Sequence, residues 1–351
     1  MRSLKNLLFV FTLTSAVLMS SCTSATKNEG VSSTRHYRHI QFSETSYDDI
    51  KGVYPISDDE AKTINNYTFT YNESGKPSSV SYMRGDKILG YSAMGFAKLE
   101  IAYSDSTEIL HFFDKDGVAV NSDGVFAFVY KLNPEGNRIG LSFLDKNGQA
   151  QSNENNIAYY VWKVLPDAMI QEKRYNKENV EVVMNPNCPF YELRFSYDAN
   201  GYCVRLANYM ADTLYDCTEE NCGEVGVSYF LFKNNEKGAL TDFAVFNSHG
   251  QMSNLYSGWS KFQNTLDENG YVVKSFFWDQ DNEPLQGVRS PQTITKFDEH
   301  GAVIERQFMD KDNNLVIRKG PDAAVVKYTY DEVGSPADTA YFDVAMAEIV
   351  K

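Results

Sequence analysis

A bend that recurs at a fixed interval constrains this chain more than any other feature. It reads as one residue, usually aromatic, then Asp or Asn, two or three more residues, and Gly. It occurs at 71–75, 132–136, 197–201, 233–238, 266–270, 297–301 and 330–334. A second bend, closed by Gly or Asn, occurs at 113–117, 144–148, 246–250, 278–282 and 309–313. Gly136 and Gly148, Gly238 and Gly250, Gly270 and Asn282, and Gly301 and Asn313 each stand 12 apart, and most units repeat after 31 to 33 residues. Turn residues are common, but a constant offset inside a nearly constant period is not chance.

The physics of the bend gives the architecture. Asp or Asn opens a turn by binding nearby backbone N–H groups, and the closing Gly or Asn tolerates positive φ. About seven residues separate the two bends, the length of one strand. Before the first bend the side chains alternate. Tyr191, Leu193, Phe195 and Tyr197 fall on one face, with Glu192, Arg194 and Ser196 on the other. Tyr67, Phe69 and Tyr71 repeat the pattern, as do Val326, Tyr328 and Tyr330. Period two with aromatic residues on one face predicts half-buried antiparallel strands. Aromatics at 14% of the chain suit sheet packing. The expected fold is all-β: hairpin repeats of 31–33 residues forming an extended twisted sheet or solenoid over 67–351. The segment around 174–226 is irregular, and there Gly201 and Gly238 are 37 apart.

Helix signals are few. Ser57 before Asp58, Asp59 and Glu60 is an N-cap followed by acids in the first turn, which predicts a short helix inside an N-terminal capping segment, 34–66. The stretch 338–350 is the only other candidate.

The Tyr-Asp-x-x-Gly bends with aromatic strands resemble the YD (RHS-like) repeats and related short β-repeats of bacterial surface proteins, over roughly 67–343. The resemblance implies an extracellular β scaffold or shell and brings no catalytic set with it. The repeat here is longer than the usual YD unit, and the toxin segment of large members has no counterpart.

The N-terminus carries a second resemblance. Arg2 and Lys5 precede an apolar run, 7–19, of the length of a secretory signal and shorter than a membrane span of about 20 residues. Ser20-Ser21-Cys22 resembles the lipobox of bacterial lipoproteins, although Met19 stands where leucine is usual. That resemblance implies a signal peptide over 1–21, a diacylglycerol on Cys22, and anchorage in the outer membrane or at the cell surface. Residues 22–33 read as a flexible tether.

Charge narrows the partners. Lys and Arg number 33 against 47 Asp and Glu, a net charge of −14, which argues against nucleic acid. Cys188, Cys203, Cys217 and Cys222 form an even set for disulfides in an oxidising compartment, with three connectivities open; Cys217 with Cys222 is a local choice, and Cys188 with Cys203 would follow. Their spacing lacks the paired Cys-x2-Cys of zinc sites. The carboxylates of Asp114 and Asp116, Asp279 and Asp281, and Asp310 and Asp312 lie two apart as in calcium loops. The twelfth position that should hold Glu is Val125 or Ser290 for the first two, so they read as turn formers. No cofactor or metal is expected.

Trp162, Trp259 and Trp278 are candidate rings for stacking on a ligand, set against the commoner role of aromatic strand residues in the core. The functional reading is a non-enzymatic, lipid-anchored envelope protein that binds a protein or polysaccharide through its repeat face. A carbohydrate-binding lipoprotein is the alternative, and a glycan or ester hydrolase on a β scaffold is the remoter one.

Overall fold

The structure, a computed structural model, describes residues 33–90, 92–185, 190–216, 227–286 and 290–351. Cys22, Cys188, Cys217, Cys222 and the leader lie outside them. The described chain forms 24 strands in one open antiparallel sheet, with a single short helix, Asp58–Ala61. Ser57 caps that helix, its side chain accepting the Glu60 N–H.

Each repeat is a hairpin, as the bends predict. In the bend at 266–270 the Asp267 N–H donates to the Tyr271 carbonyl, and the Gly270 N–H donates back to the Asp267 carbonyl. The Asp267 carboxylate accepts the N–H groups of Asn269 and Tyr271 at 3.0 and 2.9 Å. Gly270 sits at φ +86°, beyond easy reach of a side chain with Cβ. Seven-residue strands separate the two bends: Arg138–Leu144, Leu240–Phe246, Val272–Trp278 and Val303–Met309.

The repeat also runs where no glycine marks it. Ala168 at φ 65° closes a bend 32 residues after Gly136, and Asn179 at φ 61° closes its partner. Met346 at φ 64° stands 12 after Gly334. The stretch 338–350, expected as a helix candidate, is instead the strand Pro336–Phe342, a second bend and the short strand Glu348–Ile349. Local pairing with Val325–Tyr330 overrides its weak helix preference.

The sheet coils back onto its own start. A register shift one pair before the first bend recurs in the hairpins, between Thr70 and Tyr71, Ser196 and Tyr197, and Thr265 and Leu266 among others. Such bulges sharpen the right-handed twist. Later bends then meet the ends of the first strands. The Asn235 side chain donates to the Tyr54 hydroxyl at 2.8 Å, and His39 Nε2 lies 3.0 Å from the Asn269 carbonyl. The Asn65 N–H reaches the His300 carbonyl at 2.9 Å, and the Gly90 N–H reaches the Val333 carbonyl at 3.0 Å. These contacts follow the order of the first strands in the sheet, with Gly52–Ile56 beside Ser33–Ile40, then Asn66–Tyr71, then Pro77–Arg84. The coil is therefore ordered, layer on layer.

Close backbone approach explains two glycines. A Cβ on Gly270 would stand 2.5 Å from the Tyr54 ring, and one on Gly301 would stand 2.0 Å from the Tyr271 hydroxyl. Only a bare α-carbon lets the Gly270 bend rest on the Tyr54 ring of the first strands, and the Gly301 bend rest on Tyr271 of the neighbouring hairpin.

The loop between the first two strands fills the inside of the coil. The Tyr47 ring packs on Trp162 at 5.3 Å and Phe195 at 5.7 Å. The Ser46 carbonyl accepts the Tyr130 hydroxyl at 3.0 Å, and Asp48 accepts the Tyr197 hydroxyl at 2.6 Å. Around this plug lies one continuous core that runs from Tyr67 to Val245. Burying apolar side chains from both walls of the coil is its main support.

Candidate binding face

The coil closes around the plug only over its first part. The strands Val272–Trp278, Gln292–Phe297, Val303–Met309, Val325–Tyr330 and Pro336–Phe342 continue past it. Their inner face opens onto a trough of about 690 Å³. Alternation sorts the side chains. Ser275 and Phe277, Thr293 and Thr295, Arg306 and Phe308, Tyr328, and Thr339 and Tyr341 line the trough. Phe276, Trp278, Lys296, Glu305 and Lys327 fall on the opposite face by the same period.

Charge is separated across the sheet. On the outer face Lys296 pairs with Glu305 at 2.7 Å, and Lys327 approaches the same carboxylate at 3.9 Å. Partial burial works against ionisation there, yet hydrogen bonds from Lys296 and Gln307 hold the Glu305 carboxyl below its ordinary value. The trough carries Arg306, Arg318 and Lys319, and no carboxylate lines it among the described residues. Arg318 and Lys319 come from the connection before Val325–Tyr330. The Arg318 guanidinium lies 4.8 Å over the Phe308 ring and donates to Thr293 Oγ1 at 3.1 Å. Arg306 lies 5.8 Å over the Tyr328 ring. Phe308 and Val326 are buried as the floor, whereas Arg306 and Lys319 are exposed. Cations laid over aromatic rings beside hydroxyls make a surface that can hold an anionic group and a flat apolar one together.

The tryptophans do not form a row. Trp162 is buried inside the coil, its indole N–H donating to Glu172 at 2.8 Å, so it is a core ring and not a stacking platform. Trp259 is half-buried against Phe243, Phe262 and Phe277. Trp278 lies on the outer face under Lys261. Strand alternation and the plug disperse the three; the trough uses Phe and Tyr instead.

Cys203, expected as half of a bridge, is a free buried thiol that donates to the Arg205 carbonyl at 3.7 Å. Burial, with the nearby charges of Asp48 and Glu44, pushes it up to about 12. The acidic bends are spent on the backbone. Asp114, Asp279 and Asp310 each accept two N–H groups with one carboxylate oxygen. Glu192 and Arg194, expected on a wet face, are buried, with Arg194 paired to Glu192 and Asp212 and lying over the Tyr209 ring.

Sequence reasoning missed the plug and the trough. The plug carries no motif. Glu44 lies on it, and burial and the Asp48 charge raise its carboxyl to about 7. The trough did leave a trace, since alternate positions of the last five strands lack acids in a chain of net charge −14.

No protein-family model matches this chain, and no curated protein matches it. Among solved structures it is similar to the TcdB2-TccC3-Cdc42 structure, with 11% identity over 80% of this chain and a TM-score of 0.30. The TcdB2-TccC3-TEV structure gives 11% identity over 88% of this chain, again with a TM-score of 0.30. This chain spans 14% and 15% of those two chains. A porin-like protein from Bacteroides uniformis is matched at 10% identity over 78% of this chain and 93% of that one, with a TM-score of 0.28.

Proposed function

We propose that this chain is a lipid-anchored envelope protein acting as a non-catalytic binding and scaffold module. The observation that carries the reading is the open inner face of the last five strands. It is half-buried, aromatic and cationic, and among the described residues none of the plug, 41–51, lines it. Exposed faces of this kind mark sites of interaction. The trough offers cations and hydroxyls rather than the paired carboxylates of glycoside hydrolysis, which supports holding a partner over cleaving it. The leader residues up to Cys22 support an anchor outside the cytoplasm.

The test of the face uses the protein purified in detergent, mixed with envelope polysaccharide and protein fractions. Thr295→Glu places an acid in the trough. Material retained by the wild type and released by Thr295→Glu is the expected result; equal retention by both would remove the face from the function. For the anchor, Cys22→Ser is expected to move the protein from the membrane fraction to the soluble one.

A further inference from the structure

The chemistry of the open face goes further and points to its occupant. We infer that it binds an acidic polysaccharide, a polymer of ring sugars bearing carboxylates. This rests on the binding reading above and names the partner class.

Three observations converge. First, the charge is complementary. Arg306, Arg318 and Lys319 collect on one concave face that no carboxylate lines among the described residues, while the chain as a whole carries −14. An anion steered away from most of this surface meets attraction here. Guanidinium groups bind carboxylates through two parallel N–H donors, the strongest form of that contact.

Second, the cations do not stand alone. Arg306 lies over Tyr328 and Arg318 over Phe308, and Phe277, Phe297 and Tyr341 border them. A sugar ring presents a C–H face to an aromatic ring and hydroxyls at its rim. Ser275, Thr293, Thr295 and Thr339 supply hydroxyls between the aromatic rings. An acidic polypeptide would use the cations but leave these platforms without flat partners.

Third, the spacing fits a polymer. Neighbouring strands lie roughly 5 Å apart, close to the advance per sugar of an extended pyranose chain. A glycan laid across the five strands meets an aromatic ring on each, Phe277, Phe297, Phe308, Tyr328 and Tyr341, with the cations grouped at Arg306 and on the connection that carries Arg318 and Lys319.

The experiment measures binding of the detergent-purified protein to polygalacturonate and alginate. Fully methyl-esterified polygalacturonate keeps the rings without the charge, and polyglutamate keeps the charge without the rings. The expected result is saturable binding to at least one acidic glycan that weakens with salt. Binding to the methyl ester and to polyglutamate is expected to be at least tenfold weaker. The double variant Arg306→Gln with Lys319→Gln, both exposed positions, is expected to lose about tenfold, and Lys296→Gln on the outer face to lose nothing. Equal binding of the methyl ester overturns the role of charge. Equal binding of polyglutamate overturns the sugar. Failure of both glycans overturns the inference, and the binding reading then stands only if Thr295→Glu still releases a retained envelope protein. If it releases nothing, both fall.

Discussion

Arg138 and Glu108 face each other across an intervening strand as a two-armed ion pair, Nε to Oε2 at 3.0 Å and Nη2 to Oε1 at 2.6 Å. Both are less than a tenth exposed. The remaining nitrogen, Nη1, donates to the carbonyls of Tyr47 and Asp48, on the loop that fills the coil. One guanidinium thus ties two hairpins and the plug together, lying 3.7 Å over the Tyr130 ring between them.

Arg138→Met should destabilise the fold by about 3–5 kcal/mol, because it leaves a buried carboxylate unpaired and two carbonyls without a donor. Adding Glu108→Met should restore part of the loss by removing the orphaned charge. Urea unfolding of the two variants checks this; a double variant no more stable than the single one would mean that the plug contacts, not the pair, carry the energy.

Glu44 should give stability a pH slope. Its carboxyl titrates near 7 in the folded protein because burial and the Asp48 charge disfavour ionisation, against an ordinary value of 4.5. Between those values the unfolded chain has released the proton and the folded one still holds it. Stability contributed by this group is therefore full below about pH 4.5 and is lost as pH rises towards 7, with an upper bound of about 3 kcal/mol. Unfolding curves across pH 4 to 8 should show this fall in the wild type relative to Glu44→Gln, in which the group cannot ionise.

Ala168→Gly should stabilise the protein by about 0.5–1 kcal/mol. Ala168 holds φ 65°, a conformation costing a residue with Cβ about 1–2 kcal/mol, and glycine returns part of that as freedom in the unfolded chain. Gly136→Ala, at φ 83° in the same bend one unit earlier, should do the opposite. Calorimetric melting temperatures of the pair read the two signs directly.

Cys203 should resist alkylation in the native state. It is buried, and its thiol is pushed up to about 12, so almost no thiolate exists at pH 8. Iodoacetamide treatment followed by peptide mass mapping should leave Cys203 unmodified until denaturant is added. Rapid native labelling would contradict its burial.

The hairpins were legible in the sequence because their causes are local. Asp267 and Gly270 form their bend from neighbouring atoms, and Phe69 and Tyr71 alternate with Thr70 whatever else the chain does. A search tied to glycine passes over Ala168 and Met346, where pairing of the flanking strands holds the bend without the usual residue. The 12-residue offset from Gly334 still reaches Met346, so that bend could be found by counting.

The sequence by itself determined strand length, bend position and two-sided alternation for the hairpins marked by an Asp-to-Gly bend, since each follows from interactions a few residues apart. Only the tertiary structure decided that the sheet coils, that residues 41–51 enter it, and which face of the last five strands stays open. Those outcomes rest on contacts such as Tyr54 with Asn235 and Asn65 with His300, between groups 181 and 235 positions apart. A period of two gives each strand two faces and does not say which way the accumulated twist will turn them.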